Sequence, residues 1–179
     1  AMRAGQWLRT DGIQLTGKTV GLIGFGGIGA EMARLCAGIG MRVIAWNRTP
    51  RPHPGVAFVD LDTLLADSDV VSLHLLLTAE TRGFLSAERI TKLKPGALLV
   101  NTARGALLDE AALAQALREG RLAGAGLDVF VEEPLPGGHP FAGLPTVTLS
   151  AHSAFRTPEA SDNLIGAALD HCRRIAAGG

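Results

Sequence analysis

Short apolar runs alternate with helix-period segments along almost the whole chain. The runs are apolar on both faces, as the strands of a parallel sheet covered on both sides must be. The predicted strands are Thr19–Ile23, Arg42–Trp46, Val70–His74, Leu98–Asn101, Gly124–Asp128 and Val147–Ser150. This repeated alternation of strand and helix predicts an α/β fold with a doubly wound parallel sheet.

The helix-period segments between these strands carry local start and stop signals. Gly40 is expected to end the first helix, while Asp109 and Thr157 are expected to cap the start of later helices. The predicted helices are Ile28–Ile39, Leu61–Ala66, Ser86–Leu93, Glu110–Glu119 and one that begins at Pro158.

The first part of the chain has no clear place in this sheet. We therefore divide the sequence into an N-terminal arm, residues 1–16, and a sheet domain, residues 17–179. Trp7 and Leu8 are the apolar residues that we expect to anchor the arm elsewhere.

Composition and charge narrow the class of protein. Of the 179 residues 47% are hydrophobic, and 17 basic residues balance 17 acidic ones, so nucleic acid is not an expected partner. The chain lacks both an apolar stretch of the ~20 residues that span a bilayer and a signal-peptide pattern, so we expect no membrane partner and a cytoplasmic location. Cys36 and Cys172 are expected to be buried in helices. No cluster of side chains has zinc-ligand spacing, so no metal is expected.

The sequence TVGLIGFGGIGAEMARL joins the first predicted strand to the first predicted helix through a glycine-rich loop. Its glycines have G-x-G-x-x-G spacing: Gly24 for a tight turn, Gly26 for close approach of a pyrophosphate, and Gly29 for packing of helix on strand. Gly27 and Ile28 belong to the same loop, at a helix N-terminus that favours phosphate. This context predicts a dinucleotide site.

The end of the second predicted strand bears on the choice of dinucleotide. An NAD site places an acidic residue there, about 20 residues after the glycine loop, to bind the ribose hydroxyls. This chain has Asn47, Arg48 and Thr49 instead. Arg48 is suited to hold a 2′-phosphate with its planar guanidinium, so the sequence favours NADP over NAD. An Arg48 side chain that only points into solvent is the alternative.

Further motifs lie where a doubly wound sheet builds its site, at the carboxyl ends of strands. They are NTARG at 101–105, GLDVFVEEP at 126–134 and LSAHSAFRTPEA at 149–160. Together with the glycine loop, these segments resemble the D-isomer-specific 2-hydroxyacid dehydrogenases. The resemblance runs from about residue 17 to the end of the chain.

The resemblance implies hydride transfer between a nicotinamide cofactor and a small 2-oxo or 2-hydroxy acid. It implies that Arg104 pairs with the substrate carboxylate, and a guanidinium that stays charged suits that task. His152 would act as acid and base, since the ordinary pKa of histidine lies near neutrality. Glu133 would orient the imidazole through its other nitrogen.

The resemblance also implies residues that contact the cofactor. Asp128 would lie near the nicotinamide carboxamide, and Thr78 and Thr102 would lie near the cofactor. The chain departs from the family pattern at Leu76 and Ala151, where the family often has proline. Neither change removes a functional group, but both are expected to alter loop rigidity near the cofactor.

Each proposed catalytic residue also has a purely structural interpretation. Arg104 could bind only a cofactor phosphate or a helix end, and His152 could be a packed structural histidine. Glu133 stands beside Glu132, so it could belong to an exposed acidic turn.

The resemblance implies an enzyme of about double this length, with a substrate domain largely absent from the chain. We therefore expect these residues alone to bind cofactor with little or no turnover, since a closed, water-poor cleft needs both halves. A homodimer is implied by analogy with the family. The alternative function is a nucleotide-dependent binding module, similar to a corepressor, without catalysis.

Overall fold

Seven parallel strands form a single sheet in a computed structural model that describes residues 2–5, 7, 9 and 12–178. The strands are β1 Thr19–Ile23, β2 Arg42–Trp46, β3 Val56–Phe58, β4 Val70–Leu73, β5 Leu98–Asn101, β6 Gly124–Leu127 and β7 Val147–Leu149. Their order is β3-β2-β1-β4-β5-β6-β7. β2 and β3 therefore lie on one side of β1, and β4 to β7 lie on the other. Doubly wound proteins bind ligands in the crevice at the point where the strand order reverses in this way.

Side-chain alternation along the strands divides the core into layers on the opposite faces of the sheet. Val20 and Leu22 of β1 belong to the apolar cluster that packs under the first helix, whereas Ile23 belongs to the larger cluster on the other face. All of β1 is buried, as are Leu73 of β4 and Leu99 of β5. The predicted doubly wound α/β fold is confirmed.

Five α-helices connect and flank the strands. They are α1 Gly27–Gly38, α2 Leu61–Asp67, α3 Ala87–Lys92, α4 Glu110–Arg118 and α5 Pro158–Ala176. The predicted caps are confirmed, because Asp109 accepts a hydrogen bond from the Ala112 amide and Thr157 accepts one from the Ala160 amide. No helix in the described part of the chain is long and apolar enough to cross a membrane.

The sequence analysis missed one strand and was wrong about the burial of one cysteine. The edge strand β3 was missed although its three residues are apolar; the run is short, and none of the three is buried. Cys36 is buried as expected, but Cys172 is exposed, because α5 buries none of its residues within the described chain.

The N-terminal arm stays a prediction as a separate unit. A short 3-10 helix, Met2–Ala4, is exposed, and Trp7 is 71% exposed, so it does not act as a buried anchor among the described residues. Leu8, the other predicted anchor, lies outside the described residues.

Candidate active site

The glycine loop lies at the carboxyl end of β1, with the backbone geometry that its spacing predicts. Gly24 has φ +95°, and a Cβ there would lie 2.8 Å from the carbonyl oxygen of His74, so only glycine fits this turn. A Cβ at Gly29 would lie 2.6 Å from the Gly24 oxygen, which accounts for the close approach of α1. At Gly26 and Gly27 a Cβ would meet no atom within 4 Å. The protein itself therefore does not require glycine at these two positions.

The free space beside Gly26 and Gly27 fits a bound dinucleotide. The first turn of a helix has N–H groups without helical partners and a partial positive charge, which together favour phosphate. Gly26 immediately precedes α1, so a side chain there would stand at the helix start where phosphate is favoured. Ile28 is exposed beside it and lines a cavity of about 300 Å³ that also borders Thr102 and Arg104. The cavity joins the glycine loop to the loop that carries Arg104.

A second pocket, of about 400 Å³, lies at the carboxyl ends of β2 and β4. Asn47, Arg48 and Thr78 line it. The Asn47 amide donates to the Thr49 carbonyl oxygen at 3.0 Å, whereas the Thr49 side chain is exposed and outside the pocket lining. Glu80 also lines the pocket and accepts a hydrogen bond from the Thr78 hydroxyl at 2.5 Å.

Glu80 is a functional candidate that the sequence analysis missed. The absence of a carboxylate at the end of β2 was the argument for NADP, yet the loop after β4 places one in the same pocket. The hydrogen bond from Thr78 lowers the pKa of Glu80, and the positive charge of Arg48 lowers it further. Arg48 therefore faces a carboxylate as well as the space for a ligand. Only the tertiary fold could reveal this pair, because the two residues belong to separate strand ends.

The loop after β5 is shaped by the buried Asn101 side chain. Its amide donates to the Arg104 carbonyl oxygen at 2.9 Å, and its oxygen accepts from the Ala103 amide at 3.0 Å. Gly105 follows directly, and a Cβ there would clash with the backbone of Phe130. Glycine thus lets the Arg104 loop lie against the segment after β6, which carries Glu133.

His152 and Glu133 form a hydrogen-bonded pair at the carboxyl edge of the sheet. The His152 Nδ1 lies 2.7 Å from one Glu133 oxygen, and the Phe130 amide donates to the other at 2.9 Å. The hydrogen bond to His152 lowers the pKa of Glu133, and the Phe130 amide and the charge of Arg104 lower it further. Glu133 is therefore ionised at neutral pH, and Arg104 lies close enough to affect its charge.

The backbone at His152 is held in a conformation that non-glycine residues seldom adopt. Its φ is +49°, in the left-handed region. Its amide donates to the backbone carbonyl oxygen of Asp128 at 2.7 Å. A non-glycine residue in this region indicates strain that the surrounding structure must balance.

Asp128 stabilises this conformation through hydrogen bonds to the loop that carries His152. It is 3% exposed, and its carboxylate accepts hydrogen bonds from the Ser150 hydroxyl at 2.5 Å and from the amides of Ser153 and Ala154, both at 2.9 Å. Burial raises the pKa of Asp128, but these hydrogen bonds outweigh it and the pKa is lowered. The observed contacts make Asp128 an anchor of the His152 loop, while its predicted contact with the cofactor stays a prediction.

A further cavity, of about 610 Å³, lies beside the paired residues. Glu133 and His152 line it together with apolar side chains that include Phe130, Leu135 and Leu149. Arg104 lines the smaller cavity together with Ile28 of the glycine loop, whereas Glu133 and His152 line this larger one. All three residues follow parallel strands, at the carboxyl edge of the sheet.

Comparison with known proteins supports the family resemblance seen in the sequence. The family described as D-isomer specific 2-hydroxyacid dehydrogenase, NAD binding domain, matches residues 1–154. A glyoxylate reductase from Thermococcus litoralis is 41% identical over 176 residues, which cover 91% of this chain and 53% of that relative. The chain therefore spans about half the length of the curated relatives that it matches.

Solved structures share the fold over 99% of the chain. A D-lactate dehydrogenase with NAD+ from Lactobacillus jensenii has a TM-score of 0.89 at 31% identity, over 59% of its own length. An NADPH-dependent glyoxylate/hydroxypyruvate reductase from Sinorhizobium meliloti, in complex with NADP and sulfate, has a TM-score of 0.88 at 31% identity, over 58% of its length. The chain belongs to the D-isomer specific 2-hydroxyacid dehydrogenase family and corresponds to its NAD-binding domain.

Proposed function

We propose that the chain is the cofactor-binding half of an oxidoreductase that interconverts a small 2-oxo acid and its 2-hydroxy acid. The observation that carries the proposal is the 2.7 Å pair of His152 and Glu133, within reach of the charge of Arg104. A bound nicotinamide cofactor supplies or accepts the hydride. The residues of the chain bind the acid and move the proton.

The proton is assigned to the free ring nitrogen of His152. Because Nδ1 faces the ionised Glu133, Nε2 is the nitrogen left to meet the substrate oxygen. In reduction, hydride adds to the carbonyl carbon while the Nε2 proton passes to the carbonyl oxygen. Oxidation reverses both transfers. Arg104 holds the substrate carboxylate by charge and hydrogen bonds, and so orients the carbonyl.

The catalytic assignment is tested on the full-length protein that contains this chain. His152→Gln is expected to reduce kcat with glyoxylate, hydroxypyruvate or pyruvate by about 10²–10⁴-fold, because general acid–base catalysis is worth that much. Cofactor affinity should stay near that of the parent. His171→Gln, on the exposed surface of α5, is the matched control. Full activity of His152→Gln would refute the assignment.

Binding without turnover is proposed for these 179 residues alone. Calorimetry should detect nucleotide binding by the chain, and Gly26→Ala should abolish it while the fold is retained, because a Cβ there meets no protein atom. Gly166→Ala, in α5, is the control for an added methyl group. Robust steady-state turnover by the chain would contradict the proposal.

Nucleotide binding without turnover by the full-length protein would favour the alternative of a nucleotide-dependent binding module. Such a module needs the glycine loop but not a paired imidazole and carboxylate. The pair formed by His152 and Glu133 supports catalysis instead.

We further propose that the cofactor is NADP in preference to NAD. Arg48 lines the pocket at the end of β2, where its guanidinium would pair with a 2′-phosphate, whereas the Glu80 carboxylate in the same pocket would repel that phosphate. Arg48→Ala should weaken NADPH binding about tenfold or more and leave NADH binding nearly unchanged. Glu80→Gln should shift the preference towards NADPH. Arg118→Ala, on α4, is the control, and equal NADPH binding by Arg48→Ala and the parent would refute the proposal.

The homodimer remains a proposal by analogy with the family, and the cytoplasmic location remains an expectation from the sequence. Sedimentation of the full-length protein is expected to give the mass of a dimer. A monomer at high concentration would remove this part of the proposal.

A further inference from the structure

Glu110 contacts the segment that carries Glu133 although it lies more than twenty residues away in sequence. It is the first residue of α4, outside the segments on which the family resemblance depends. Its Oε1 accepts a hydrogen bond from the Val131 amide at 2.9 Å, and its Oε2 lies 3.5 Å from the His139 Nε2. One carboxylate thus contacts both ends of the segment Val131–His139.

His139 makes further contacts of its own, which hold its ring against Glu110. Its Nδ1 accepts a hydrogen bond from the Phe141 amide at 3.3 Å, which places the ring proton of the neutral tautomer on Nε2, towards Glu110. The ring packs against Phe141 and Phe130, with centroids 4.9 and 6.4 Å away. The Glu110 and His139 side chains are only 17% and 15% exposed.

The contact at Val131 adjoins the contact that holds Glu133. The Phe130 amide donates to Glu133, and the next amide, that of Val131, donates to Glu110. Two carboxylates therefore bind successive N–H groups of one turn. The free oxygen of Glu133 then contacts His152. Movement of the turn away from Glu110 would carry the Phe130 amide away from Glu133.

We propose that Glu110 is a positioning residue that fixes the Val131–His139 segment, and through it sets the placement of Glu133 against His152. In the described part of the chain, no hydrogen bond or ion pair joins Glu110 to Glu133 or His152, so its positioning effect passes through the backbone of the turn. Its effect on catalysis rests on the function proposed above. Its effect on the geometry is a property of the chain and is measurable without cofactor or substrate.

The test is the titration of the Glu133 carboxyl carbon by NMR in the chain itself. Glu110→Gln removes the same charge but keeps an acceptor oxygen, so it is the reference for the midpoint. Relative to Glu110→Gln, Glu110→Ala should move the Glu133 midpoint up by about 0.5 pH unit, because the Phe130 hydrogen bond that favours the carboxylate weakens. Amide exchange at Phe130 and Val131 should speed up about tenfold. Glu110→Gln should keep the slow amide exchange of the parent, since its side-chain oxygen can still accept from the Val131 amide. Glu119→Ala, on the exposed end of α4, should change neither.

A second variant tests the same proposal if Glu110→Ala does not fold. His139→Gln releases only the far end of the segment, so it should shift the Glu133 midpoint in the same direction by a smaller amount. Equal Glu133 midpoints in Glu110→Ala and Glu110→Gln, or in His139→Gln and the parent where Glu110→Ala does not fold, overturn the proposal. An inactive full-length enzyme would refute the proposed function and leave this titration unaffected.

Discussion

Replacement of Asp128 by asparagine is the most direct test of how the His152 loop is held. The buried carboxylate accepts three hydrogen bonds, from the Ser150 hydroxyl and the amides of Ser153 and Ala154. An asparagine side chain at this position offers one oxygen, so at least one of these donors must face an NH₂ group. A hydrogen bond to a charged group contributes about 1.5–3 kcal/mol, and an unsatisfied buried donor costs about 1–3 kcal/mol.

Burial of an uncharged asparagine costs less free energy than burial of the Asp128 carboxylate, and this difference offsets part of the loss. We therefore expect Asp128→Asn to lower the free energy of unfolding by about 2–3 kcal/mol at pH 7. The measurement is urea unfolding of the chain followed by circular dichroism. Asp162→Asn, on the exposed surface of α5, is the matched control and should stay within about 0.5 kcal/mol of the parent.

The pH dependence gives a second check with a defined sign. The pKa of Asp128 is lowered by folding, so its contribution is present above its ordinary pKa of 3.8 and is lost as the pH falls through the folded-state value. The difference between parent and Asp128→Asn should therefore be constant from pH 7 to about pH 5 and shrink at lower pH. Equal stability of Asp128→Asn and Asp162→Asn at pH 7 would refute the anchoring role.

Three further outcomes are expected. Gly24→Ala should lower the free energy of unfolding by about 2 kcal/mol or more in urea, because it combines a positive φ with a Cβ 2.8 Å from the His74 carbonyl oxygen; parent-like stability would contradict this. Leu99→Ala, fully buried in β5, should cost about 2–5 kcal/mol in the same assay, and a cost below about 1 kcal/mol would show that the core relaxes. A thiol reagent should label Cys172 rapidly and Cys36 slowly, since burial raises the pKa of the Cys36 thiol, and fast labelling of the Cys172→Ser variant would disprove this.

The sheet was largely predictable because its central strands are buried on both faces. Such strands must be apolar throughout, so β1, β4 and β5 stand out as short apolar runs between glycine and cap signals. The edge strand β3, Val56–Phe58, is also apolar, but it is only three residues long and none of them is buried. One side of an edge strand is free to be exposed. Its parallel pairing with β2 is seen only in the folded structure.

The position of the candidate site in the fold could be predicted from the sequence, but several of its side-chain contacts could not. Strand order puts the carboxyl ends of β1, β5 and β6 at one edge, so the loops carrying Arg104 and Glu133 had to meet there. Glu80 and Glu110 escaped prediction because each faces a partner from a distant segment. A carboxylate in a loop or in the first turn of a helix is ordinarily a solvated surface group, and only the fold shows where it points.

The structure shows one of the two roles that a carboxylate such as Asp128 can have, and the predicted cofactor contact stays a prediction. A carboxylate at the end of β6 suits either a cofactor amide or protein N–H groups, and the motif does not distinguish them. In the structure it binds Ser153 and Ala154, while its backbone oxygen binds the His152 amide. The positive φ of His152 carries strain of about 1–3 kcal/mol, comparable to what these hydrogen bonds contribute. The anchor is therefore strong enough to hold the imidazole in a conformation that the loop alone would not keep.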